Sequence, residues 1–563
     1  MNKKAKKILS VLLASAVVIT GATATIMSDQ LASAAKKPKV TLKLNKSSLS
    51  LKKGKSSVLK ITKKNVTKIK SQKWTTSKKT VATVSKKGKV TAKKAGNATI
   101  KVKVSYVAKG EKKAKTKTLS CKVTVTDLVP VPVPAPAPAK LHFSYEDTSN
   151  IGAEREVSIV GGTSEKMKVK DNGTMRRELS ATELADDHMG LGINLGNTME
   201  ATMTLEQRAK QTEATQFETC WGMALTTQKY IDCVHSYGIN TLRIPVAWSN
   251  MVNDETYEIN EKYLGRVEEI VNYALNDGMY AIINIHWDNQ WWGQFGASKL
   301  QPDGTKVADE ERRAQAWKRF ESYWKQISER FKNYSDHLIF EGANEELGDR
   351  LNDKIYQSGY AYPSDASDTV QTQGNLKPDE RFEMVNQINQ KFVDVVRATG
   401  GNNRYRHLLI PGYDTSPRKT ADERYKMPTD IAENGKSKLF VSVHIYTPGL
   451  YCLDDGKGTY TDNDKKLVVG DTAKLQRFVD EGYAVIVGEC GVVRPSEVDD
   501  NVTKWYRDFY TEAKKYHAVP VMWEIGNYFN RSEAKLLYKD MAEMWNDLTG
   551  AKGDDSMTRL TGK

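Results

Sequence analysis

Residues 338–347 read Leu-Ile-Phe-Glu-Gly-Ala-Asn-Glu-Glu-Leu, a largely apolar run that stops in an asparagine followed by two adjacent carboxylates. Residues 484–491, Ala-Val-Ile-Val-Gly-Glu-Cys-Gly, repeat the plan and stop at Glu489. Continuous apolar runs of this length fit strands covered on both faces, as in parallel sheets flanked by helices. Six more such runs occur at Gly190–Leu195, Asn240–Pro245, Met279–His286, Arg406–Pro411, Leu439–Tyr446 and Val519–Glu524. Helical periodicity lies between them, as at Tyr263–Leu275, Ala314–Phe331, Arg381–Thr399, Ala473–Glu481 and Val498–Tyr516. Eight strand–helix units between residues 179 and 551 predict an α/β fold, a (β/α)8 TIM barrel with long loops. A doubly wound open sheet is the alternative, but no strand is followed by its Gly-rich phosphate turn.

Ahead of the barrel the composition changes three times. Residues 1–34 have the build of an export signal: Lys3, Lys4, Lys6 and Lys7, then an apolar stretch from Ile8 to Thr20, then Ala32-Ser33-Ala34. The apolar stretch is shorter than the ~20 residues a membrane span needs, so secretion is expected, and no later segment offers a span. From Lys36 to Asp127 there are 29 Lys and no Arg, against Glu111 and Asp127 as the acids, a net of +27. The whole chain carries +16, and the residues from Leu128 onward carry −14. The excess base therefore belongs to a small appendage, which argues against nucleic acid as a partner of the whole protein. An anionic cell wall remains open as a partner of the appendage.

Within that appendage Val40–Leu44, Ala98–Val104 and Cys121–Val125 alternate apolar and polar residues, as half-buried strands do. Residues 128–140 alternate Pro with Val or Ala and should form a stiff polyproline tether of ~3.1 Å per residue. Residues 141–178 form a polar lead-in whose only structural suggestion is a β-ribbon. Cys121, Cys220, Cys233, Cys452 and Cys490 are scattered without metal-ligand spacing and make no disulfide framework.

Active sites of (β/α)8 barrels lie at the C-terminal ends of the strands. Those ends here are polar in seven of the eight strands: Asn194 to Asn197, Arg243, His286-Trp287-Asp288, Asn344-Glu345-Glu346, His444 with Tyr446, Glu489, and Trp523-Glu524. Core packing does not account for so many together. The set has no Cys/His cluster for zinc and no Gly-x-Ser-x-Gly turn for acyl transfer. Two carboxylates among Asn, His and Tyr donors suit a neutral polyol, and cleavage of a glycosidic bond needs such a pair. Trp221, Trp248, Trp287, Trp291, Trp292 and Trp523 could stack on sugar faces. The Trp291-Trp292 pair, just past a strand end, is expected to face substrate. A non-catalytic carbohydrate-binding protein is the reading from another class; it would be expected to lack one of the carboxylates.

Several motifs in one order carry a resemblance: Leu191 to Glu200, Glu218 to Gly222, Leu242 to Pro245, Ile283 to His286, Phe340 to Glu345, Val443-His444 with Tyr446, and Val487 to Gly491. From about residue 180 to 550 the chain resembles glycoside hydrolase family 5. Residues 81–100, with Trp74 upstream, resemble the group 2 bacterial Ig-like domain, which implies a small β-sandwich over 38–127. The family resemblance implies a retaining endo-β-1,4-glucanase of the cellulase type, acting on β-glucan without metal or cofactor. β-Mannan and xyloglucan are alternative substrates on the same fold, and a monomer is expected. It implies Glu345 as acid/base and Glu489 as nucleophile, with Asn344 on the sugar 2-hydroxyl. Arg243 and Tyr446 would bond to Glu489, His286 and His444 would line the reacting subsite, and Trp523 would form its floor. The sequence departs from the family in three places. Glu346 follows the acid/base where Pro is usual, Trp287 stands where a second His is often found, and Cys490 replaces a common aromatic.

Overall fold

The computed structural model describes residues 39–126, 141–360, 367–453, 459–492 and 500–553. The export signal at 1–34 and the Pro-rich tether at 128–140 fall outside the described residues. The chain divides into two compact units, Met1–Ala137 and Pro138–Lys563.

The first unit is all β. Strands Ser48–Lys52, Ala114–Thr126, Gly96–Ala108 and Val66–Thr76 form a four-stranded sheet in that order. Ser56–Val58, Lys89–Ala92 and Ala82–Val84 form a three-stranded sheet, and Thr41–Leu44 pairs with Ile61–Lys64. The apolar phase of the strands packs into a core that includes Leu49, Leu59, Val90, Ile100 and Val123. The opposite phase of the larger sheet carries Lys73, Lys101, Lys103 and Lys122 among Ser and Thr, and Lys73 faces Lys103 directly across two strands.

In the second unit eight parallel strands close into a barrel: β1 (Leu191–Asn194), β2 (Ile239–Ile244), β3 (Tyr280–Asn284), β4 (Leu338–Glu341), β5 (Leu408–Pro411), β6 (Leu439–Ile445), β7 (Ala484–Cys490) and β8 (Ala518–Met522). These are the eight strands expected from sequence, most of them trimmed by one to three residues at the ends. Alternate residues explain the layering. One phase (Ala281, Ile283, Phe340, Val441, Val485, Val487) joins the large core shared with the helices. The other phase (Ile282, Ile339, Leu409, Phe440, Ile486, Val519) forms a separate interior cluster. Ala181, Leu184, Ala185 and Met189 pack into that cluster from below. One step higher in the interior phase the residues turn polar: Asn194, Arg243, Asn284, Glu341 and Ser442, all buried. The site stands on this polar layer.

Helices Glu261–Asn276, Glu310–Arg330, Pro378–Ala398 and Asp500–Lys514 occupy the expected places between strands. The segment expected as one helix at Ala473–Glu481 is a 3-10 turn, Ala473–Leu475, followed by Gln476–Asp480. Helix Asp462–Thr472 lies just before it and buries little beyond Val468, Asp471 and Thr472. Helices Gln228–Ser236 and Lys539–Thr549 continue the alternation of strands and helices.

The lead-in does contain a β-ribbon, Ile151–Ser158 against Lys166–Asp171. It is fastened to the barrel. Thr163 donates through its amide and hydroxyl to Glu269, both at 2.8 Å. The Phe143 amide donates to the Leu548 carbonyl at 2.9 Å. Arg176 donates to Asp336 at 2.8 Å, to Asp147 at 3.0 Å and to the Tyr280 hydroxyl at 2.8 Å. Among the described residues no helix is long and apolar enough to cross a membrane.

Candidate active site

Arg243, near the end of β2 and fully buried, organises the polar layer. Its Nε donates to Glu341 at 2.8 Å, Nη1 to Asn194 at 2.9 Å and to Glu489 at 3.2 Å, and Nη2 to Asn344 at 2.7 Å. A guanidinium in the barrel interior is tolerable only if such partners answer its charge. Glu341 also accepts from Ser442 at 2.7 Å and Asn284 at 3.0 Å. Glu341 belongs to the site's support and was missed by sequence reasoning. Its one signal was a charged residue on the interior phase of an apolar strand.

Glu489 leaves β7 at a bulge. His444 pairs with Glu489 and Val443 with Val487, so Gly488 has no opposite number on β6, and the register on the β8 side shifts at the same place. An extra residue of this kind re-aims the side chain beside it. Gly suits the position, since a Cβ there would lie 3.2 Å from His444 Nε2 and 3.3 Å from Ser442 Oγ. The turned carboxylate receives Arg243 on one oxygen and the Tyr446 hydroxyl at 3.1 Å on the other.

Glu345 follows β4, and His444 Nδ1 lies 2.8 Å from its Oε1 and 3.5 Å from Glu489 Oε2. The contacting atoms of Glu345, His444 and Glu489 all lie within 4.8 Å of one another. Among the described residues this is the one convergence of three metal-ligand side chains, and the Arg243 charge beside it opposes a further cation. Asn344 gives its oxygen to Arg243, and its Nδ2 is buried with no hydrogen-bond partner among the described residues. His286 is buried and stacks on the half-buried Trp523, rings 5.9 Å apart at 12°. All eight site residues named from sequence are thus gathered at the C-terminal end of the barrel.

Burial pushes the Glu489 carboxyl upward, against the pull of His444 and with the Glu345 charge adding to the rise. Burial also pushes Glu345 up, but the His444 bond outweighs it and holds that carboxyl below its usual range. Burial, with the Arg243 and His444 charges adding to it, holds His286 well below the usual imidazole range, hence neutral. Glu346 is buried behind the pair and is pushed up to about 8 by burial.

Two expectations fail. Trp291 and Trp292 are 0% and 1% exposed, stacked on each other within the 3-10 segment Asp288–Gly296 and packed against Phe295 and Phe320. They are core, because the buried Asp288 accepts the Trp291 indole N–H at 2.6 Å and draws the loop inward. Trp248, also expected as a stacking face, is 0% exposed, with its indole N–H on the Asn284 carbonyl at 2.8 Å. Trp221 is 44% exposed, with its indole N–H fixed on the Thr202 carbonyl at 3.0 Å.

The fold and its strand-end residues define the class, a glycoside hydrolase built on a (β/α)8 barrel. A family model, cellulase (glycosyl hydrolase family 5), matches residues 205–529. The chain belongs to that family, and the group 2 bacterial Ig-like domain matches residues 38–117. Endoglucanase B of Neocallimastix patriciarum is 32% identical over 68% of this chain and 74% of its own. Endoglucanase A of Ruminococcus albus is 31% identical over 63% of this chain and 86% of its own. A solved GH5-4 broad specificity endoglucanase from Ruminococcus champanellensis with bound cellotriose is similar at TM-score 0.54 and 29% identity, covering 66% of this chain and 99% of its own. A family 5 lichenase from Caldicellulosiruptor sp. F32, in complex with cellotetraose, gives 0.53 and 26% over 71% and 100%. With the family established, the non-catalytic binding reading is set aside.

Proposed function

We propose that the chain is a secreted, retaining endo-β-1,4-glucanase that cleaves internal bonds of cellulose or related β-glucans. The observation that carries this reading is the closeness of Glu345 and Glu489, whose nearest oxygens lie within 4.8 Å. Retaining pairs stand ~5–5.5 Å apart, whereas inverting pairs leave ~6.5–9.5 Å for a water. Glu489 attacks the anomeric carbon while Glu345 protonates the departing oxygen. Glu345 then takes a proton from water, which releases the sugar from Glu489 with its original configuration. Asn344 offers its unpaired N–H to a hydroxyl beside the nucleophile, and His286 on Trp523 makes the floor.

The reaction needs Glu489 charged and Glu345 protonated, and His444 stands between them. Glu489 has the Arg243 cation and the Tyr446 hydroxyl to answer its charge. Burial is the contribution that favours the proton on Glu345, which the first step requires, and the His444 hydrogen bond works against it.

The cello-oligosaccharides bound by similar structures favour glucan over mannan as substrate. Products from carboxymethyl-cellulose, xyloglucan and mannan, with the anomeric configuration read by NMR, test substrate and stereochemistry together. Glu489→Ala is expected to abolish turnover on every glycan; near-normal turnover would refute the assignment. For the N-terminal unit we infer contact with an anionic cell-wall polymer, on the strength of its acid-free lysine face.

A further inference from the structure

Two of the departures from the family pattern meet in space. Glu346 stands where Pro is usual, and Trp287 where a second His is often found. The Trp287 amide donates to Glu346 Oε1 at 2.7 Å, and the Asn344 amide donates to Glu346 Oε2 at 2.9 Å. Trp287 and Asp288 both have left-handed backbones, φ 52° and 49°. Consecutive non-glycine residues in that region persist only where the surroundings hold them. Glu346 supplies one such hold, and the buried Asp288, which receives the Ser249 amide at 2.6 Å, supplies the other. The strained turn presents a half-buried indole with the Arg350 guanidinium 4.6 Å from its ring centre. Arg350 is close enough for its charge to favour the ionised form of Glu345. The Trp287 ring and the Arg350 charge that reaches Glu345 thus stand together, and the carboxyl that holds the Trp287 amide is the residue next to Glu345 in sequence.

We propose that Glu346 is a positioning residue: by holding the amides of Asn344 and Trp287 it fixes Glu345 and sets Trp287 as the wall against which the departing sugar rests. This deepens the proposed function and rests on Glu345 being the acid. A pinned wall on the acid's side acts on the leaving group, while attack by Glu489 depends on Arg243 and Tyr446 instead. Glu346→Gln keeps the shape but sets an NH2 group, which can only donate, against one of the two amide N–H groups that the carboxyl oxygens accept.

The test compares two substrates through kcat/KM, which reports the first chemical step. Cellotetraose needs a proton delivered to its leaving oxygen; 2,4-dinitrophenyl β-cellobioside does not. Glu346→Gln is expected to lower kcat/KM on cellotetraose roughly 10- to 100-fold, part of the ~10²–10⁴ that general-acid catalysis contributes, and to change the aryl substrate less than ~3-fold. Trp287→Ala keeps the amide bond to Glu346, so it serves if Glu346→Gln is unstable. It is expected to raise KM for cellotetraose and leave the aryl substrate within the same limit. An equal fall on both substrates, or no fall on either, overturns the proposal, as does an unchanged cellotetraose KM in Trp287→Ala. Glu345→Ala is measured alongside and should show the same substrate split more steeply. If it does not, the assignment of Glu345 fails; if it does and Glu346→Gln does not, only the positioning role fails.

Discussion

At the residue scale the site depends on one buried cation with two carboxylates. Arg243 is shared between Glu341, which never touches substrate in the proposed mechanism, and Glu489, which does. Removing Glu341 leaves the guanidinium short of a partner in a fully buried position. Breaking a buried pair of this kind costs ~3–5 kcal/mol. Glu341→Ala should therefore lose about that much by urea unfolding, and kcat should fall because Arg243 is freed to move. Glu341→Gln, which keeps the bonds to Ser442 and Asn284 in reach, should lose less. Glu345 and Glu489 were legible in the sequence because each ends an apolar run. Glu341 was not, because it lies inside such a run and only the interior phase of a closed barrel marks it. The Trp291-Trp292 pair misled for a related reason: aromatic residues past a strand end look alike whether a loop opens onto a cleft or folds back under Phe320.

At the element scale the strands were legible almost to the residue, since eight apolar runs can hardly be placed elsewhere than in a covered sheet. The β7 bulge was not, because a strand written Val-Gly-Glu-Cys gives no sign of which residue lacks a partner. The lead-in was legible only as a ribbon, and its bonds to distant residues could not be read from its own composition. One group of those bonds centres on Asp147, which meets His188 at 2.9 Å, Arg176 at 3.0 Å, His337 at 3.6 Å and the Tyr280 hydroxyl. Burial pushes the Asp147 carboxyl up, but the bonds from His188, His337 and Tyr280 outweigh it and hold it well below the usual range. A carboxyl lowered in the fold adds stability above its unfolded pKa of ~3.9, and that stability is lost as pH falls below it. Asp147→Asn should cost about 2 kcal/mol at neutral pH, less than a fully buried pair would because the cluster is partly exposed. Thermal unfolding at pH 7 and pH 3 checks this: the gap between variant and parent should narrow in acid.

At the scale of the whole molecule the charge is divided between two units of opposite sign. On the N-terminal sheet Lys73 and Lys103 oppose each other directly, an arrangement that weakens a sheet unless something answers the charge. The face carries Lys, Ser and Thr and no Arg, which suits phosphate or carboxylate groups met as point charges more than nucleic-acid bases. Retention of the full chain on anionic wall material should fall steeply between 50 mM and 500 mM salt. Lys73→Glu with Lys103→Glu should reduce retention at low salt without changing glucan hydrolysis. Salt-independent retention would remove the reading. The imbalance was fully legible in the sequence, being a matter of counting; the row of lysines on one face needed the strand register.

The way residues 141–178 are stitched to the barrel also bears on how such proteins are recombined in evolution. A fusion point placed at residue 179, just ahead of the short helix Ala181–Glu183, would discard the ribbon together with Asp147 and Arg176. A crossover ahead of residue 141 exchanges everything upstream and leaves every one of those stitches whole. The catalytic unit can thus acquire or lose neighbours on its N-terminal side while its own inheritance passes on intact.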